Sequence, residues 1–361
     1  MTVTDRPRSG AGRATRPAPR TRRAVPTWVL GALLVAGLLV AMTLAVSWGS
    51  SAIPPGQVWT VVARRLSGEA PRPGTDDLIV WQLRVPRTLL AALVGAGLGV
   101  VGTAVQALVR NPLADPQLLG VSGGASLGAV GFIVLGVGGG AGLGLSGAAF
   151  AGALLAFGLV WLVARRGGAF SPLRLVLAGV AIGQLLTGLT SYLVLRVEDA
   201  QETRGVLFWL MGSLGGADWD GLWLPGIAVP AGLLALQTRA RALNALVMGE
   251  ETAASLGVAV GRLRRELFVL TSLLTGVLVA VSGVIAFVGL MVPHVCRLLT
   301  GGDHRRLLPL SALAGALLLV VVDLACRVAV DGQELPVSVV TAVLGAPALL
   351  FLLDRRLERE P

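Results

Sequence analysis

The sequence contains no lysine, and all 30 of its basic residues are arginine. A Walker-type nucleotide-binding loop needs a lysine that reaches the β- and γ-phosphates, so the chain lacks such a loop. The same absence excludes a Schiff base between a lysine amine and a carbonyl substrate. If ATP drives this protein, a separate subunit hydrolyses it.

Cysteine and histidine are also scarce, with two of each in the chain. Cys296 and Cys326 stand in apolar stretches without paired spacing, which is typical of small buried side chains. His294 and Cys296 are too few for a zinc site, which needs three or four ligands. Because the sequence also lacks H-E-x-x-H, G-x-S-x-G and a catalytic carboxylate pair, it predicts no enzyme, no metal and no cofactor.

Charged residues make up only 14% of the chain, whereas 54% are hydrophobic and 49 residues are glycine. A soluble protein of this size could not bury so much apolar surface. The net charge of +10 does not indicate nucleic acid, because six of these charges come from residues 1–26. The composition therefore predicts a polytopic protein of the lipid bilayer with no nucleic-acid partner.

Hydrophobic runs divide the chain into a tail and a membrane domain. Residues 1–25 lack periodicity and predict a disordered, arginine-rich cytoplasmic tail. The run 25–46 is longer than the core of a signal peptide, which favours a membrane helix. We expect the membrane domain at 26–355 and a short cytoplasmic C-terminus at 356–361. The predicted spans, each of about 20 residues, are 27–48, 88–109, 117–138, 144–164, 173–195, 221–237, 308–330 and 336–353, with the run 267–299 in addition.

The run 267–299 is too long for a single crossing, because 33 helical residues would reach about 50 Å. Gly283, Gly289 and Pro293 suit a break between two shorter segments. With two crossings there, 22 arginines lie on the cytoplasmic side and eight lie outside; with one crossing the numbers are 17 and 13. The positive-inside rule therefore predicts ten helices with both termini cytoplasmic.

Several polar groups at membrane depth have more than one interpretation. Asp323 and Arg327 are four residues apart, so they can neutralise each other or form part of an outer site. Arg84 and Arg87 are either interfacial anchors or a cationic docking surface. Gln106 and Gln184 lie within predicted spans and either line a passage or bond between helices.

Two predicted cytoplasmic loops also stand out. The turn 110–116 contains two prolines and is either a connector or the place where a pore narrows. The loop 238–266 carries five arginines and three glutamates, so it is too polar to span the membrane. It is long enough for one or two short helices that lie against a cytoplasmic partner.

Several long motifs resemble the FecCD-type permeases, which are the membrane subunits of ABC importers for iron–siderophore chelates, haem and vitamin B12. The resemblance covers about 27–353. The motifs are GAGLGVVGTAVQALVRNPLADPQLLGVSGGASLG at 95–128, LAGVAIG at 177–183, LNALVMGEETAASLGV at 243–258, GVIAFVGLMVPHVCRLLTGGDHRRLLP at 283–309, DLACR at 323–327 and ELPVSVVTAVLGAP at 334–347.

This resemblance implies an all-α, polytopic transmembrane bundle of about ten helices with the type II ABC importer permease fold. It also implies a homodimer around a central pathway, in the bacterial cytoplasmic membrane. Two ABC ATPase subunits would bind on the cytoplasmic side, and an extracytoplasmic binding protein would deliver the substrate.

The family's functional positions map onto residues of this chain. The resemblance implies that acidic side chains of the binding protein dock on Arg84, Arg87 and Arg327, with Asp323 as support. The cytoplasmic gate would include Asn111, Leu113, Ser171 and Pro172. The positions implied to couple to the ATPase are Leu243, Asn244, Gly249, Glu250, Ala253, Leu256 and Gly257.

Three classes of function differ in what they require of the sequence. An iron–siderophore importer is the expected function, and vitamin B12 or haem are the alternative substrates. A secondary transporter would need buried titratable groups to couple an ion gradient, and Asp323 with Arg327 is the one clear intramembrane pair. An intramembrane enzyme would need a nucleophile with its base, or a metal cluster.

Overall fold

The structure is a computed structural model that describes residues 26–49, 51–69, 75–136, 144–165, 171–330 and 332–357. Regular structure in these ranges is entirely helical. The tail predicted at 1–25 lies outside the described residues, as does most of the predicted C-terminus at 356–361. The α-helices are α1 (Thr27–Ser47), α2 (Pro55–Leu66), α3 (Thr75–Leu78), α4 (Val85–Val109), α5 (Val121–Leu135), α6 (Leu145–Arg165), α7 (Pro172–Val194), α8 (Ala200–Leu210), α9 (Trp223–Thr238), α10 (Ala240–Val247), α11 (Glu250–Ser255), α12 (Val260–Ser282), α13 (Val288–Thr300), α14 (His304–Val328) and α15 (Val337–Leu357).

The expected bundle of membrane helices is confirmed. In the described chain, seven helices are long and apolar enough to cross a membrane, and three shorter apolar helices accompany them. The three shorter helices are α5, α13 and the segment Val337–Leu350 of α15. Together these ten helices correspond to the ten predicted spans.

The long apolar run is divided in two at Gly283, whereas Gly289 and Pro293, which were also expected at the break, lie within α13. α12 ends at Ser282, and Gly283 has a φ of 66°, a left-handed conformation that favours glycine. The backbone groups freed at the break find partners on other segments. The carbonyl of Ser282 accepts from the Ser213 N–H at 2.9 Å, and the Ser338 hydroxyl donates to the Val284 carbonyl at 2.7 Å. Non-helical backbone at membrane depth requires such partners.

The helix that contains α4 begins earlier than the sequence predicts. It runs without interruption from α3 through a π-helical segment, Ile79–Arg84, into α4. Pro86 follows this segment and has no N–H to donate, and the wider π-helical turn accommodates its ring. The segment carries Arg84 at its end and brings Arg87 onto the first turn of α4.

Close contact between α4 and α14 forms the centre of the bundle. A Cβ atom on Gly95 would collide with the carbonyl oxygen of Gly315, and one on Gly99 with that of Ser311. Small residues four apart let two membrane helices approach to backbone contact. Gly95 and Gly99, four residues apart on α4, therefore mark a contact between the two helix backbones.

α14 connects the two ends of the molecule. Its 25 residues extend over about 37 Å at 1.5 Å per residue. Asp323 and Arg327 lie at one end. We call these two residues, together with Arg84, Arg87 and Glu334, the arginine face. The opposite end lies beside α10, which α11 follows, and we call α10 and α11 together with Asp303 the coupling face.

Candidate functional site

The arginine face encloses a cavity of about 860 Å³. Its charged lining consists of Arg84, Arg87, Arg327 and Glu334. These residues come from the π-helical segment, the start of α4, the end of α14 and the segment before α15. The structure therefore brings together the three arginines that the sequence analysis singled out.

Asp323 orients two of these arginines at once. Its Oδ1 accepts from Arg87 Nε at 2.9 Å, and its Oδ2 pairs with Arg327 Nε at 3.2 Å. The Asp323 side chain is only 1% exposed, so its charge depends on these partners. The ion pair expected with Arg327 forms, and Arg87 joins it from another helix.

Arg87 uses its remaining donors on Glu334. Its Nη1 and Nη2 donate to Glu334 Oε1 and Oε2, each at 2.9 Å, which makes a bidentate pair. The Arg87 side chain is 11% exposed, whereas that of Glu334 is 45% exposed. Sequence reasoning missed Glu334 as a partner because the two residues are far apart in the chain.

Arg84 is bound to backbone. Its Nη1 donates to the carbonyl oxygens of Val46 and Ser47 at 2.9 and 3.0 Å, and its Nη2 donates to that of Ser51 at 2.6 Å. Arg84 is 5% exposed. In this conformation it ties the end of α1 to the π-helical segment, and a carboxylate that bound it would compete with these carbonyls.

Arg327 retains donor capacity inside the cavity. Its Nη2 is buried and has no hydrogen-bond partner among the described residues. Its Nη1 makes only a long contact of 3.5 Å with the Trp48 carbonyl. A buried donor without an acceptor is unfavourable, so an acceptor that entered the cavity would gain a hydrogen bond here.

The coupling face combines buried anchors with an exposed apolar surface. Leu243 and Ala253 are fully buried and hold α10 and α11 against the bundle. Leu256 is 65% exposed and Met248 is 69% exposed. The backbone turns at Gly249 and Gly257, where φ is 123° and 80°; exposed apolar side chains beside such turns are typical of a protein contact.

Asn244 joins α10 to the start of α14. Its Nδ2 donates to Asp303 Oδ1 at 2.7 Å, and its Oδ1 accepts from the His304 N–H at 2.9 Å. Asp303 is the N-cap of α14 and also accepts from the Arg305 N–H at 3.1 Å. The Asn244 amide and this N–H hold the pKa of Asp303 below its usual value.

Glu250 links α11 to two neighbouring elements. Its carboxylate accepts hydrogen bonds from both terminal nitrogens of Arg264 on α12. Its Oε1 also lies 4.0 Å from Arg110 Nη1 at the end of α4. The hydrogen bonds from Arg264 lower the pKa of Glu250. The coupling face is therefore in contact with the turn that contains Asn111.

The four residues expected at the gate lie in two segments. Asn111 Oδ1 accepts from the Leu113 N–H at 2.9 Å, which fixes the turn after α4. Ser171 is the N-cap of α7 and Pro172 is its first residue. α7 packs against the short 3₁₀ helix Pro116–Leu119 that follows the Asn111 turn, where Gly179 meets the backbone of Leu118.

A second cavity, of about 770 Å³, lies between α5, α7 and α8. The sequence left the roles of Gln106 and Gln184 open, and the structure places them in different surroundings. Gln184 lines this cavity, whereas Gln106 bonds between helices, donating to the Leu290 carbonyl at 3.0 Å and accepting from Arg297 at 2.9 Å. The polar lining includes Ser122, Ser126, Gln184, Thr187, Thr190 and Ser191.

The described residues form an all-helical membrane bundle with a charged cavity at one end and short amphipathic helices at the other, an arrangement that suits a transport subunit. Comparison with known proteins identifies the class. Residues 37–355 match the FecCD transport family, and the chain belongs to that family. It is a multi-pass membrane permease subunit of an ABC importer, and not an enzyme.

The relatives cover nearly the whole chain. The vitamin B12 import system permease protein BtuC of Klebsiella pneumoniae is 40% identical over 336 residues, which are 93% of this chain and 95% of that protein. The cobalamin import system permease protein BtuC of Halobacterium salinarum is 43% identical over 284 residues, 79% of this chain and 75% of that protein. A solved structure of a metal-chelate type ABC transporter, in an inward-facing conformation, has a TM-score of 0.79 and 29% identity. The match covers 91% of this chain and 100% of the chain in that structure.

Proposed function

We propose that this permease forms the membrane pathway of an importer for vitamin B12. The observation that carries the proposal is the 40% identity to the Klebsiella vitamin B12 permease over 93% of this chain. The two BtuC permeases favour the vitamin B12 alternative over the iron–siderophore substrate expected from the sequence.

The charge of the arginine face supports delivery of the substrate there. An extracytoplasmic binding protein would place acidic side chains in the cavity of Arg84, Arg87 and Arg327, with Asp323 holding two of them in position. Guanidinium groups held in this way favour carboxylates. This face is then extracytoplasmic, which leaves both termini in the cytoplasm.

The coupling face suits contact with the two ABC ATPase subunits. Leu256 and Met248 present apolar surface there, while Leu243, Asn244, Glu250 and Ala253 hold α10 and α11 to the bundle. Gly249 and Gly257 shape the turns between them. Because the chain has no lysine, the ATPase must come from these partners.

Two copies of the chain would enclose the pathway. Part of the lining of the cavity between α5, α7 and α8 consists of hydroxyl and amide groups, which are unfavourable against lipid. A second subunit that covered this face would place two such linings opposite each other. The turn with Asn111 and Leu113, together with Ser171 and Pro172, would close the cytoplasmic end.

Uptake in cells tests the substrate. A bacterial strain that lacks its own permease but keeps the ATPase and the binding protein is complemented with this chain. It is then supplied separately with radiolabelled cobalamin, a ferric siderophore and haem. We expect accumulation of cobalamin alone. Accumulation of the ferric siderophore without cobalamin would restore the expectation from the sequence.

A further inference from the structure

Glu334 binds the two terminal nitrogens of Arg87, the side chain that lines the cavity. Both of its carboxylate oxygens accept from Arg87, and both distances are 2.9 Å. Its side chain is 45% exposed, although the arginine it binds is 11% exposed. A solvent-accessible carboxylate therefore covers a nearly buried cation.

Arg87 does not depend on Glu334 for its position. Its Nε is held by Asp323 at 2.9 Å, and Asp323 is 1% exposed. If Glu334 moved away, Asp323 would keep the guanidinium in place, with Nη1 and Nη2 open to another acceptor. The Arg87 guanidinium is therefore arranged so that one carboxylate on Nη1 and Nη2 can be exchanged for another.

The cavity carries an excess of positive charge, which favours the entry of another carboxylate. Three guanidinium groups face two carboxylates, Asp323 and Glu334, which leaves one excess positive charge. Arg327 Nη2 is buried without a hydrogen-bond partner, on a side chain that is 6% exposed and lines the same cavity. An incoming carboxylate would find this donor unused and the donors of Arg87 occupied by Glu334.

We propose that Glu334 is an internal competitor for the docking site. In the free permease it takes the place on Arg87 of an acidic side chain of the binding protein, and docking exchanges the two carboxylates. This inference rests on the proposed function, in which an acidic partner docks at the arginine face. It adds the residue that sets the strength of docking.

The exchange involves a side chain and leaves the backbone around it in place. The Leu335 N–H donates to the Cys326 carbonyl at 3.0 Å, and the Val337 N–H donates to the Gly212 carbonyl at 3.0 Å. These bonds fix the backbone that follows Glu334, and the Gln333 N–H donates to the Val330 carbonyl at 3.4 Å just before it. Glu334→Gln should therefore fold and assemble as the wild type does.

The test measures binding of the extracytoplasmic binding protein to the complete permease–ATPase complex in nanodiscs. The binding protein is isolated from the same organism by its affinity for cobalamin. The variants are Glu334→Gln, Arg87→Gln, Arg87→Lys and the double variant Arg87→Gln with Glu334→Gln. Glu202→Gln, an exposed carboxylate on α8, is the matched control for the change in charge.

We expect Glu334→Gln to lower the Kd about threefold to tenfold, as loss of a competing ion pair would. Arg87→Gln and Arg87→Lys should raise it, and the double variant should show no gain over Arg87→Gln. A Kd unchanged in Glu334→Gln while the arginine variants weaken binding would overturn the exchange and leave docking intact. An equal gain in Glu202→Gln would also overturn it.

The proposed function fails in a different way. If neither arginine variant changes the Kd, the binding protein docks elsewhere. If the cobalamin-binding protein does not dock on the wild-type complex at all, the proposed partner is wrong. Size-exclusion chromatography of each complex separates loss of docking from loss of assembly.

Discussion

At the scale of single residues, the arginine face is organised by one carboxylate. Asp323 lies on α14 and holds Arg327 on its own helix and Arg87 on α4. The pair with Arg327 could be predicted from a spacing of four residues. The bonds of Arg87 to Asp323 and Glu334 span 236 and 247 positions, so no local pattern could indicate them.

Replacing Asp323 tests whether it holds Arg87 and Arg327 together. Asp323→Asn leaves two largely buried guanidinium groups without their shared carboxylate, so we expect about 3 kcal/mol loss of stability. The loss would appear as a lower Tm of the purified permease in detergent. Glu334→Gln, at a 45% exposed side chain, is the control and should change the Tm much less. Equal effects from the two variants would contradict the role given to Asp323.

The ion pair of Glu250 predicts a dependence on pH. The hydrogen bonds from Arg264 lower the pKa of Glu250 from its ordinary value of 4.5. Its contribution to stability is therefore present above pH 4.5 and is lost as the pH falls through the lowered pKa. We expect Glu250→Gln to lower the Tm by a few degrees at neutral pH and to differ little from the wild type in strong acid. A difference that grew as the pH fell would contradict this sign.

At the scale of helices, hydropathy predicted the spans because a bilayer demands about 20 apolar residues per crossing. Gly283 marked the break between α12 and α13 because its left-handed φ favours glycine. The amphipathic helix α2 and the π-helical start before α4 escaped prediction. Their sequences are short and mixed, and contacts with α1 and with each other stabilise them.

The contact between α4 and α14 can be tested with a single methyl group. Gly95→Ala would drive a Cβ into the Gly315 carbonyl, so we expect a lower Tm and less assembled complex. Gly158→Ala on α6 is the matched control, because its Cβ would meet no atom within 4 Å. A Tm for Gly95→Ala as high as that of Gly158→Ala would show that the helices are not in backbone contact.

At the scale of the whole molecule, α14 joins a charged face to a coupling face. Asn244 and Asp303 hold one end of this helix, and Arg87 and Asp323 hold the other. The resemblance to the family singled out residues at both faces, and the docking and coupling roles given to them stay predictions. The cavity between α5, α7 and α8 could not be predicted, because its lining is assembled from separate segments of the chain and includes small residues that occur throughout membrane bundles.

Cross-linking tests whether that cavity faces a second copy of the chain. Thr187→Cys places a thiol on the cavity wall, and the native cysteines Cys296 and Cys326 are buried. We expect a long bismaleimide to join two subunits in the assembled complex. Leu154→Cys, 40% exposed on α6, is the control and should stay monomeric. Monomeric Thr187→Cys protein would remove the support for the proposed dimer.

Transport by the reconstituted importer tests the central proposal most directly. Proteoliposomes containing this chain with its ATPase, and with the binding protein added on the arginine face, are supplied with labelled cobalamin. The account predicts that cobalamin accumulates only with ATP, and that the chain alone hydrolyses no ATP. Accumulation by the chain alone in a proton gradient, or failure of the complete complex to accumulate cobalamin, would contradict it.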